Sequence, residues 1–451
     1  MRWSARFVAD ALELREPPDM PGFTAISTDT RTLEPGALFV ALAGERFDGH
    51  AHLSAAGERG AAAAVVRRGT PAVRGLKLIE VDDTLRAYGA LARARRRDVA
   101  GPVVAVTGTN GKTSTKEMIA AVLRTRFRTH ATHANLNNLV GVPLTILEAP
   151  LDTEALVIEA GANLPGEIPR YREIIDPSIA VITNVSTGHL EGFGSLEGVM
   201  REKLSLVRDV ELAVVGTDPA TLPSRARELA RSVITGGLAG ADVVPDELTL
   251  DAFGRATLKV DGCRVRLPYP GGHLAANAML AWAVGRALDL DRQAAAAALA
   301  GVCLPGGRSE VIEVGGLTIL NDTYNANPHS FASTIATARA MRSRRRLVFV
   351  AGTMRELGAE SVRLHSEVAQ ALVALDPDLL GAVGEFVPAL APHAEALGGR
   401  LVAAADVATL GAAIAPRLRS GDLVVLKASR GVALEHIIPL LTAGRTPPPE
   451  G

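Results

Sequence analysis

The stretch VVAVTGTNGKTST, residues 103–115, places a short β-branched apolar run before a glycine-rich turn and a Lys-Thr pair. A strand, a glycine-rich loop and a helix in this order are typical of a phosphate-binding loop. The strict pattern G-x-x-x-x-G-K-[ST] is not met, because Val106 stands where its first glycine is required. The stretch still predicts a strand from Val103 and a helix that begins near Lys112.

The loop offers several groups to a nucleotide phosphate. Glycines allow a close approach of the backbone, and N–H groups at a helix start attract anions. Lys112 is expected to reach the β- and γ-phosphates, and the Thr113 hydroxyl to ligate Mg²⁺. A plain strand–turn–helix corner is the alternative interpretation. The predicted phosphate contacts are Gly108, Thr109, Asn110, Gly111, Lys112, Thr113 and Ser114.

A carboxylate for the metal is expected at the end of a second strand. ALVIEAGAN, residues 155–163, is an apolar run that carries Glu159 near its end. Ligands bind at the carboxyl ends of strands in open α/β sheets, so Glu159 would lie beside the loop if the two strands are neighbours. Mg²⁺ takes few carboxylates, together with phosphate oxygens and waters. Taken alone, Glu159 is equally compatible with a surface acid.

The order of strands and helices predicts an α/β protein. A length of 451 residues is enough for about three domains. Alternating strands and helices at 103–300 predict a parallel P-loop sheet, with an antiparallel flank at 242–267. A strand, a Gly-Gly turn and a second strand at 310–322 open a second α/β unit of Rossmann type. The predicted domains are a small α/β domain at 1–99, the P-loop domain at 100–305 and the Rossmann-like domain at 306–451.

The charge balance excludes some classes of partner. The chain has 48 Lys plus Arg and 49 Asp plus Glu, which gives no general case for binding nucleic acid or an anionic membrane. Basic clusters at 93–97 and 344–346 are interpreted as solvated helix ends or loops.

Cysteine use and apolar patterning predict a cytoplasmic location. Cys263 and Cys303 have no partner at metal-ligand spacing, and a secreted disulfide framework needs more cysteines. No apolar run in the sequence approaches the roughly 18 residues of a membrane helix. The N-terminal MRWSARFVADALEL pattern indicates an amphipathic helix and not a signal peptide.

Several motifs together resemble one family. TGTNGKTSTKEM, NLNNLVGVP, VIEAGANLPGEI and TNVSTGHLEGFGSLEGVMREK follow in order between residues 107 and 203. They resemble the central domain of the Mur ligases, the ATP-dependent amide-bond ligases of peptidoglycan precursor synthesis. GGRSEVIEV, NDTYNANPHS, GTMRELGAES and LKASRG resemble the third domain, and STDTRTLEPGALFVALAGERFDGHAH resembles the first. The combination is most similar to the MurF type, whose phosphate loop also lacks the upstream glycine.

The resemblance implies roles for the matching residues. Glu159 and His189 would hold Mg²⁺ with Thr113, and Lys203 matches a lysine that is often carbamylated. The implied catalytic set is Lys112, Glu159, His189, Lys203 and Arg308. Asn277 would read adenine, Arg308 would reach the ATP phosphates, and the remaining ATP contacts would be Asp322, Asn325 and Asn327. Leu274 and Thr353 stand where the family often has asparagine and aspartate.

The substrates implied by the resemblance are UDP-N-acetylmuramoyl-tripeptide and D-alanyl-D-alanine. The carboxylate of the first would attack the γ-phosphate of ATP, and the amine of the second would attack the resulting acyl phosphate. We expect a monomer that closes about hinges near residues 100 and 305. The implied contacts are Thr28, Asp29, Thr30 and Arg31 for the UDP end, Asn137 and Asn138 for substrate or phosphate, and Lys427, Ser429 and Arg430 for the dipeptide.

Two alternatives stay open at this point. A related Mur or folylpolyglutamate-type ligase with a different acceptor would share the central domain. A non-catalytic P-loop regulator would need the phosphate loop and the metal, but not Lys203 or Arg308.

Overall fold

The computed structural model describes residues 2–20, 22–44, 47–188 and 190–444. Before residue 100 the chain forms a parallel sheet of strand order β1-β2-β5-β6, and β3 pairs with β4 in antiparallel fashion. Ser4 and Asp83 accept backbone N–H groups and so begin α1 and α3. The elements are α1 Ala5–Ala11, β1 Ile26–Ser27, β2 Leu38–Val40, β3 Ala43–Gly44, β4 Phe47–Asp48, α2 Leu53–Glu58, β5 Ala63–Arg67, β6 Lys77–Val81 and α3 Thr84–Arg96.

The middle of the chain alternates strands and helices, as predicted. Its elements are β7 Val103–Thr107, α4 Lys112–Leu123, β8 Thr129–Ala131, α5 Gly141–Glu148, β9 Ala155–Glu159, α6 Glu167–Ile175, β10 Ile179–Ile182, α7 Leu190–Phe193, α8 Leu196–Leu204, β11 Leu212–Val215, α9 Leu222–Arg227 and β12 Val233–Thr235. The strand order is β12-β11-β10-β7-β9-β8. Leu156 N–H donates to Pro102 O (3.1 Å) at the start of β7, and Thr183 N–H donates to Thr107 O (3.0 Å) at its end.

The predicted antiparallel flank is confirmed. It consists of β13 Glu247–Leu250, β14 Arg255–Val260 and β15 Cys263–Pro270, and α10 Gly272–Ala287 and α11 Arg292–Ala300 follow it. Leu248 and Leu250 of β13 are exposed, whereas alternate residues of β14 and β15 are buried. The sheet therefore has one covered and one solvated face.

The C-terminal part is a sheet of order β16-β17-β21-β18-β19-β20, in which β16 alone is antiparallel to its neighbour. Phe349 and Val425 pack with α12 and α13 on one face, and Val350 and Val424 pack with α16 and α17 on the other. Helices on both faces give the predicted Rossmann-like layering. The elements are β16 Glu310–Val314, β17 Leu317–Asp322, α12 Pro328–Arg342, β18 Leu347–Gly352, α13 Ser361–Ala374, β19 Leu379–Val383, α14 Phe386–Leu390, α15 Ala394–Leu397, β20 Leu401–Ala404, α16 Val407–Ile414, β21 Leu423–Lys427 and α17 Ile437–Thr442.

The chain divides into two compact units. The first holds the described residues of Met1–Ala105, Phe127–Ala162 and Gly166–Ser178, and the second holds those of Val106–Arg126, Asn163–Pro165 and Ile179–Gly451. The glycine-rich loop, α4 and the whole C-terminal sheet thus belong to the second unit.

One basic cluster differs from its prediction. Arg95 was expected to be solvated, but its side chain is 1% exposed. Its Nη2 donates to Pro150 O at 2.7 Å, so it serves the packing of α3 in the first unit. Across the described ranges, the structure contains no helix with the length and apolar character needed to cross a membrane.

Candidate functional site

The glycine-rich loop has the geometry that its sequence predicts. β7 ends at Thr107, and Gly111 is the N-cap of α4 with φ of 77°. Gly108 has φ of 146°, and a Cβ there would lie 1.9 Å from Thr183 Oγ1. A Cβ on Gly111 would lie 2.8 Å from the amide of Asn277. Positive φ and close neighbours therefore require glycine at both positions.

The loop and the start of α4 form a site for an anion. The Lys112 ammonium donates to Gly108 O (2.9 Å) and Thr109 O (3.1 Å), so the cation lies over the loop. The N–H groups of the first turn of any α-helix have no acceptor within the helix, and they carry the positive end of its dipole. Thr113 and Ser114 lie in that turn. The arrangement suits a phosphate group.

Asn184, which is not among the residues predicted from sequence, shapes this loop. Its Oδ1 accepts the Asn110 N–H (3.0 Å), its Nδ2 donates to Asn110 O (3.1 Å), and its backbone carbonyl accepts the Thr109 N–H (2.9 Å). Thr183 Oγ1 also donates to Asn110 O, at 2.5 Å. The N–H groups of Thr109 and Asn110 are thus used to fold the loop. The signal in the sequence was a polar residue shortly after the buried strand β10.

The side chain of Asn110 reaches the N-terminus of α12. Asn327 Nδ2 donates to Asn110 Oδ1 at 2.7 Å, while Asn327 Oδ1 accepts the Ser330 N–H and caps the helix. His329 Nδ1 lies 3.2 Å from Asn110 Nδ2, and its Nε2 lies 2.8 Å from Asp218 Oδ2. The structure therefore brings the loop and the NANP segment together within the second unit.

Arg308 also contacts the loop. Its Nη2 donates to Thr113 Oγ1 at 3.2 Å, and its guanidinium lies 3.5 Å from the centroid of the Tyr324 ring. The antiparallel register pairs Glu310 with Asn321, which sets residues 307–309 opposite residues 322–324. Arg308 therefore contacts the first turn of α4, and its reach to the ATP phosphates stays a prediction.

Asp322 is the centre of a buried polar cluster. Its Oδ2 accepts from Lys427 Nζ (2.7 Å) and Thr334 Oγ1 (2.6 Å), and its Oδ1 accepts the Ser309 N–H (3.2 Å). Burial alone would raise the pKa of Asp322, but the charge and hydrogen bond of Lys427 outweigh it and lower the pKa. Lys427 also donates to Asn325 O at 2.8 Å. The carboxylate is ionised and fixes the loop that carries Arg308.

Two residues of α10 complete this region. Asn277 is buried against Gly111, and its Nδ2 has no hydrogen-bond partner among the described residues. His273 Nε2 lies 3.4 Å from Ser309 Oγ. Burial, with a contribution from Lys427, lowers the pKa of His273 to about 4, although Asp322 opposes the shift. The ring is therefore neutral at physiological pH.

The segment after β21 packs beside the GTMRE loop. Ser429 Oγ accepts the Arg355 N–H at 2.9 Å, and Arg355 Nη2 donates to Gly431 O at 3.0 Å. Thr353, which stands where the family often has aspartate, accepts the Glu385 N–H at 3.0 Å. Arg430 is exposed and donates to Glu435 Oε1 at 3.2 Å. Arg430 thus offers a guanidinium to solvent beside Ser429.

Other predicted residues lie in the first unit. Glu159 is the last residue of β9, and its Oε1 accepts from Asn137 Nδ2 at 2.8 Å. Asn138 Oδ1 accepts the Val140 and Gly141 N–H groups and so forms a turn just before α5.

The UDP segment lies in the first unit as well. The Asp29 carboxylate pairs with the Arg31 guanidinium at 2.6 Å and with the Arg31 N–H at 2.8 Å. The side-chain hydrogen bond of Arg31, aided by its N–H, lowers the pKa of Asp29 to about 2. Thr28 precedes this pair and Thr30 lies between its two residues, and both threonines are partly exposed. The pair leaves the outer face of the Arg31 side chain solvated.

His189 and Lys203 are two further residues of the predicted catalytic set. His189 lies outside the described residues. Lys203, which lies in the last turn of α8, is fully buried, with Nζ 5.9 Å from the centroid of the Phe193 ring. Lys203 is therefore not an ordinary exposed helix lysine.

Each unit carries an oxygen group of the kind that a hard divalent cation takes as a ligand. Glu159 Oε2 is buried and makes no hydrogen bond among the described residues, which leaves a carboxylate oxygen for a ligand. Thr113 offers a hydroxyl at the start of α4. Within the part of the chain that the structure describes, three His, Cys, Asp or Glu side chains do not cluster as in an all-protein metal site. Carboxylate and hydroxyl oxygens are ligands that Mg²⁺ accepts in proteins, together with phosphate oxygens and waters.

Comparison with known proteins agrees with these observations. The family models described as Mur ligase family, catalytic domain, Mur ligase middle domain, and Mur ligase, glutamate ligase domain match residues 22–96, 106–285 and 307–430. A UDP-N-acetylmuramoyl-tripeptide--D-alanyl-D-alanine ligase from Bacillus subtilis is 35% identical over 426 residues, which is 92% of each chain. The chain belongs to the Mur ligase family.

Solved structures of the MurF type are similar to this Mur ligase over nearly its whole length. MurF from Acinetobacter baumannii has a TM-score of 0.88 and 30% identity, and 98% of both chains is covered. MurF from Thermotoga maritima, solved in complex with ADP, has a TM-score of 0.82 and 29% identity over 93% of this chain and 97% of that one. The predicted MurF-type resemblance and α/β fold are confirmed.

Proposed function

We propose that this Mur ligase is an ATP-dependent enzyme that joins D-alanyl-D-alanine to a UDP-N-acetylmuramoyl-tripeptide in peptidoglycan precursor synthesis. The observation that carries the proposal is the anion site of the second unit. There the Lys112 ammonium lies over Gly108 and Thr109, and Arg308 donates to Thr113 in the first turn of α4. The similarity to MurF-type ligases over more than nine-tenths of the chain supports the choice of substrates.

The reaction has two steps. A carboxylate oxygen of the tripeptide attacks the γ-phosphorus of ATP, so a new O–P bond forms while the bond to ADP breaks. The dipeptide amine then attacks the acyl carbon, loses a proton as the C–N bond forms, and phosphate leaves with the original carboxylate oxygen. Both steps bring anions together, so the enzyme acts mainly by neutralising charge and positioning the groups. Lys112 and Arg308 supply that positive charge.

The nucleotide is held by the loop and by α10. We assign the direct phosphate contacts to the N–H groups from Gly111 to Ser114, because Asn184 uses those of Thr109 and Asn110. The unpartnered amide of Asn277 is available to read the adenine edge. We assign the Asp322, Asn325 and Asn327 segment to the ribose side of the nucleotide.

Mg²⁺ is the expected metal. Thr113, Glu159 and His189 are the proposed ligands, and the bound ion would supply further positive charge at the phosphates. Removal of Mg²⁺ with a chelator should abolish phosphate release, and adding Mg²⁺ back should restore it. Activity that survives chelation would contradict this part of the proposal.

Lys203 is proposed to be carbamylated. A carbamate would turn a buried cation into an anion that can accept hydrogen bonds or face a metal. Intact mass measured in bicarbonate should show the modification. Activity of Lys203→Arg should stay low at every bicarbonate concentration, whereas wild-type activity should rise with bicarbonate. An unmodified lysine in a fully active enzyme would refute the carbamate.

The other substrates have contacts in both units. Thr28, Asp29, Thr30 and Arg31 are proposed to bind the UDP end, with Asn137 and Asn138 further along the substrate. Ser429 and Arg430 are proposed to bind the dipeptide carboxylate, since Arg430 presents an exposed guanidinium. An ammonium has three donors, and Lys427 gives two of them to Asp322 and Asn325. Its third donor is assigned to the same carboxylate.

We place these contacts in three functional domains, 1–99, 100–305 and 306–451. The three family matches fall inside these ranges. Phosphate release across a panel of UDP-muramoyl peptides and amine acceptors tests the function. We expect turnover only when ATP, the UDP-tripeptide and D-alanyl-D-alanine are all present. ATP hydrolysis with neither substrate, or preference for another acceptor, would overturn the assignment.

A further inference from the structure

Tyr324 is the aromatic residue of the DTYNANP segment, directly after β17. Two guanidinium groups face its ring. Arg308 lies 3.5 Å from the ring centroid, and Arg430 lies 5.8 Å from it. Both distances are within the range of cation–π attraction, and Arg308 is at stacking distance. We propose that Tyr324 is a positioning residue that holds the nucleotide-facing Arg308 and the acceptor-facing Arg430 on one ring. The inference rests on the proposed function of these two arginines.

The backbone fixes the ring relative to Arg308. The Tyr324 N–H donates to Gly307 O at 3.0 Å, and the Ser309 N–H donates to Asp322 Oδ1 at 3.2 Å. These bonds flank Arg308 on both sides. A long arginine side chain loses much rotamer freedom when it is held in one place. A planar ring at stacking distance offsets part of that loss, and Nη2 is thereby directed to Thr113 Oγ1.

Arg430 reaches the same ring because of the strand order of the C-terminal sheet. β21 is the neighbour of β17, and their register pairs Asp322 with Lys427. Tyr324 comes two residues after Asp322, and Arg430 comes three residues after Lys427. The ends of two adjacent parallel strands thus bring the Tyr324 ring and Arg430 together, while Arg308 comes from the residues just before β16. Tyr324 is the shared support of cations that contact different substrates.

Loss of the Tyr324 ring should change KM for ATP and for D-alanyl-D-alanine, but not for the UDP-tripeptide. Tyr324→Leu should raise KM for ATP about tenfold and KM for D-alanyl-D-alanine about threefold, because Arg308 lies closer to the ring than Arg430 does. KM for the UDP-tripeptide should change less than twofold. Tyr324→Phe keeps the ring and loses only the hydroxyl, so it should restore all three constants to within twofold of wild type.

A double-mutant cycle on the full chain makes the test specific. Affinity for a nonhydrolysable ATP analogue is measured by calorimetry for wild type, Tyr324→Leu, Arg308→Ala and the double variant. We expect Tyr324→Leu to weaken binding about tenfold in the wild-type background and less than twofold once Arg308 is alanine. An equal loss in both backgrounds, or a Phe variant as impaired as the Leu variant, would overturn the proposal.

The proposal stays testable if a variant fails to fold or if the proposed function is wrong. If Tyr324→Leu does not fold, Tyr324→Met gives an apolar side chain of similar length without a ring and replaces it. Absence of ligase turnover in the wild type would refute the proposed function, whereas the ATP-binding cycle would still decide on the Tyr324–Arg308 pair.

Discussion

Asn184→Ala is the change that tests how the phosphate-binding loop is held. The substitution removes the acceptor of the Asn110 N–H (3.0 Å) and one of two donors to Asn110 O. The second donor, Thr183 Oγ1, remains at 2.5 Å. The main cost is therefore the free energy of leaving one partly buried N–H group unsatisfied, which is about 2 kcal/mol. If ATP binds only when the loop has its observed conformation, this cost lowers the affinity for ATP about thirtyfold.

The assay is calorimetric titration of Asn184→Ala with a nonhydrolysable ATP analogue. Thr183→Val is the matched control, because it removes one donor from a carbonyl that keeps the other. We expect Thr183→Val to lose threefold or less in affinity. Unchanged ATP binding in Asn184→Ala, or a larger loss in Thr183→Val than in Asn184→Ala, would refute the reasoning that Asn184 orders the loop.

Three further predictions concern the second unit. Gly111→Ala should weaken ATP binding more than tenfold in the same titration, whereas Gly69→Ala, which has a similar φ of 81° and open space around it, should leave binding unchanged. Because the folded-state pKa of His273 is about 4, the unfolded chain takes up the proton first as pH falls below about 6.5. His273 therefore destabilises the fold by up to about 3 kcal/mol between pH 6.5 and 4, and melting curves of His273→Gln should show a weaker pH dependence. Lys427→Met should cost about 3–5 kcal/mol by leaving the Asp322 carboxylate unpaired, and adding Asp322→Asn should recover part of the lost thermal stability.

The sequence predicts those parts of the fold that depend on local pattern. The β7–loop–α4 segment follows from an apolar β-branched run and from glycines that must take positive φ. The hairpin at 310–322 follows from a Gly-Gly turn between two apolar runs. Helix ends are less well determined by pattern. The pattern predicts a helix that begins near Lys112, but its end at Leu123 is known only from the structure.

Contacts between distant segments were not predictable from the same patterns. Asn184 and Asn110 are far apart in sequence, and Asn327 is further still, so no local spacing relates their amides. Arg95 stands in a basic cluster that resembles a solvated helix end. Its side chain is nevertheless buried and donates a hydrogen bond to Pro150 O, which is distant in the sequence. Tyr324 was part of a recognised motif, but only the strand order shows that two arginines meet on its ring.

The central claim, that amide formation proceeds through an acyl phosphate, is tested most directly by isotope transfer. The UDP-tripeptide is prepared with both oxygens of its reacting carboxylate replaced by ¹⁸O and is incubated with ATP, Mg²⁺, D-alanyl-D-alanine and the enzyme. The account predicts that each phosphate released carries one ¹⁸O atom, because the carboxylate oxygen that attacked the γ-phosphorus leaves with it. Unlabelled phosphate released in step with amide product would contradict the account.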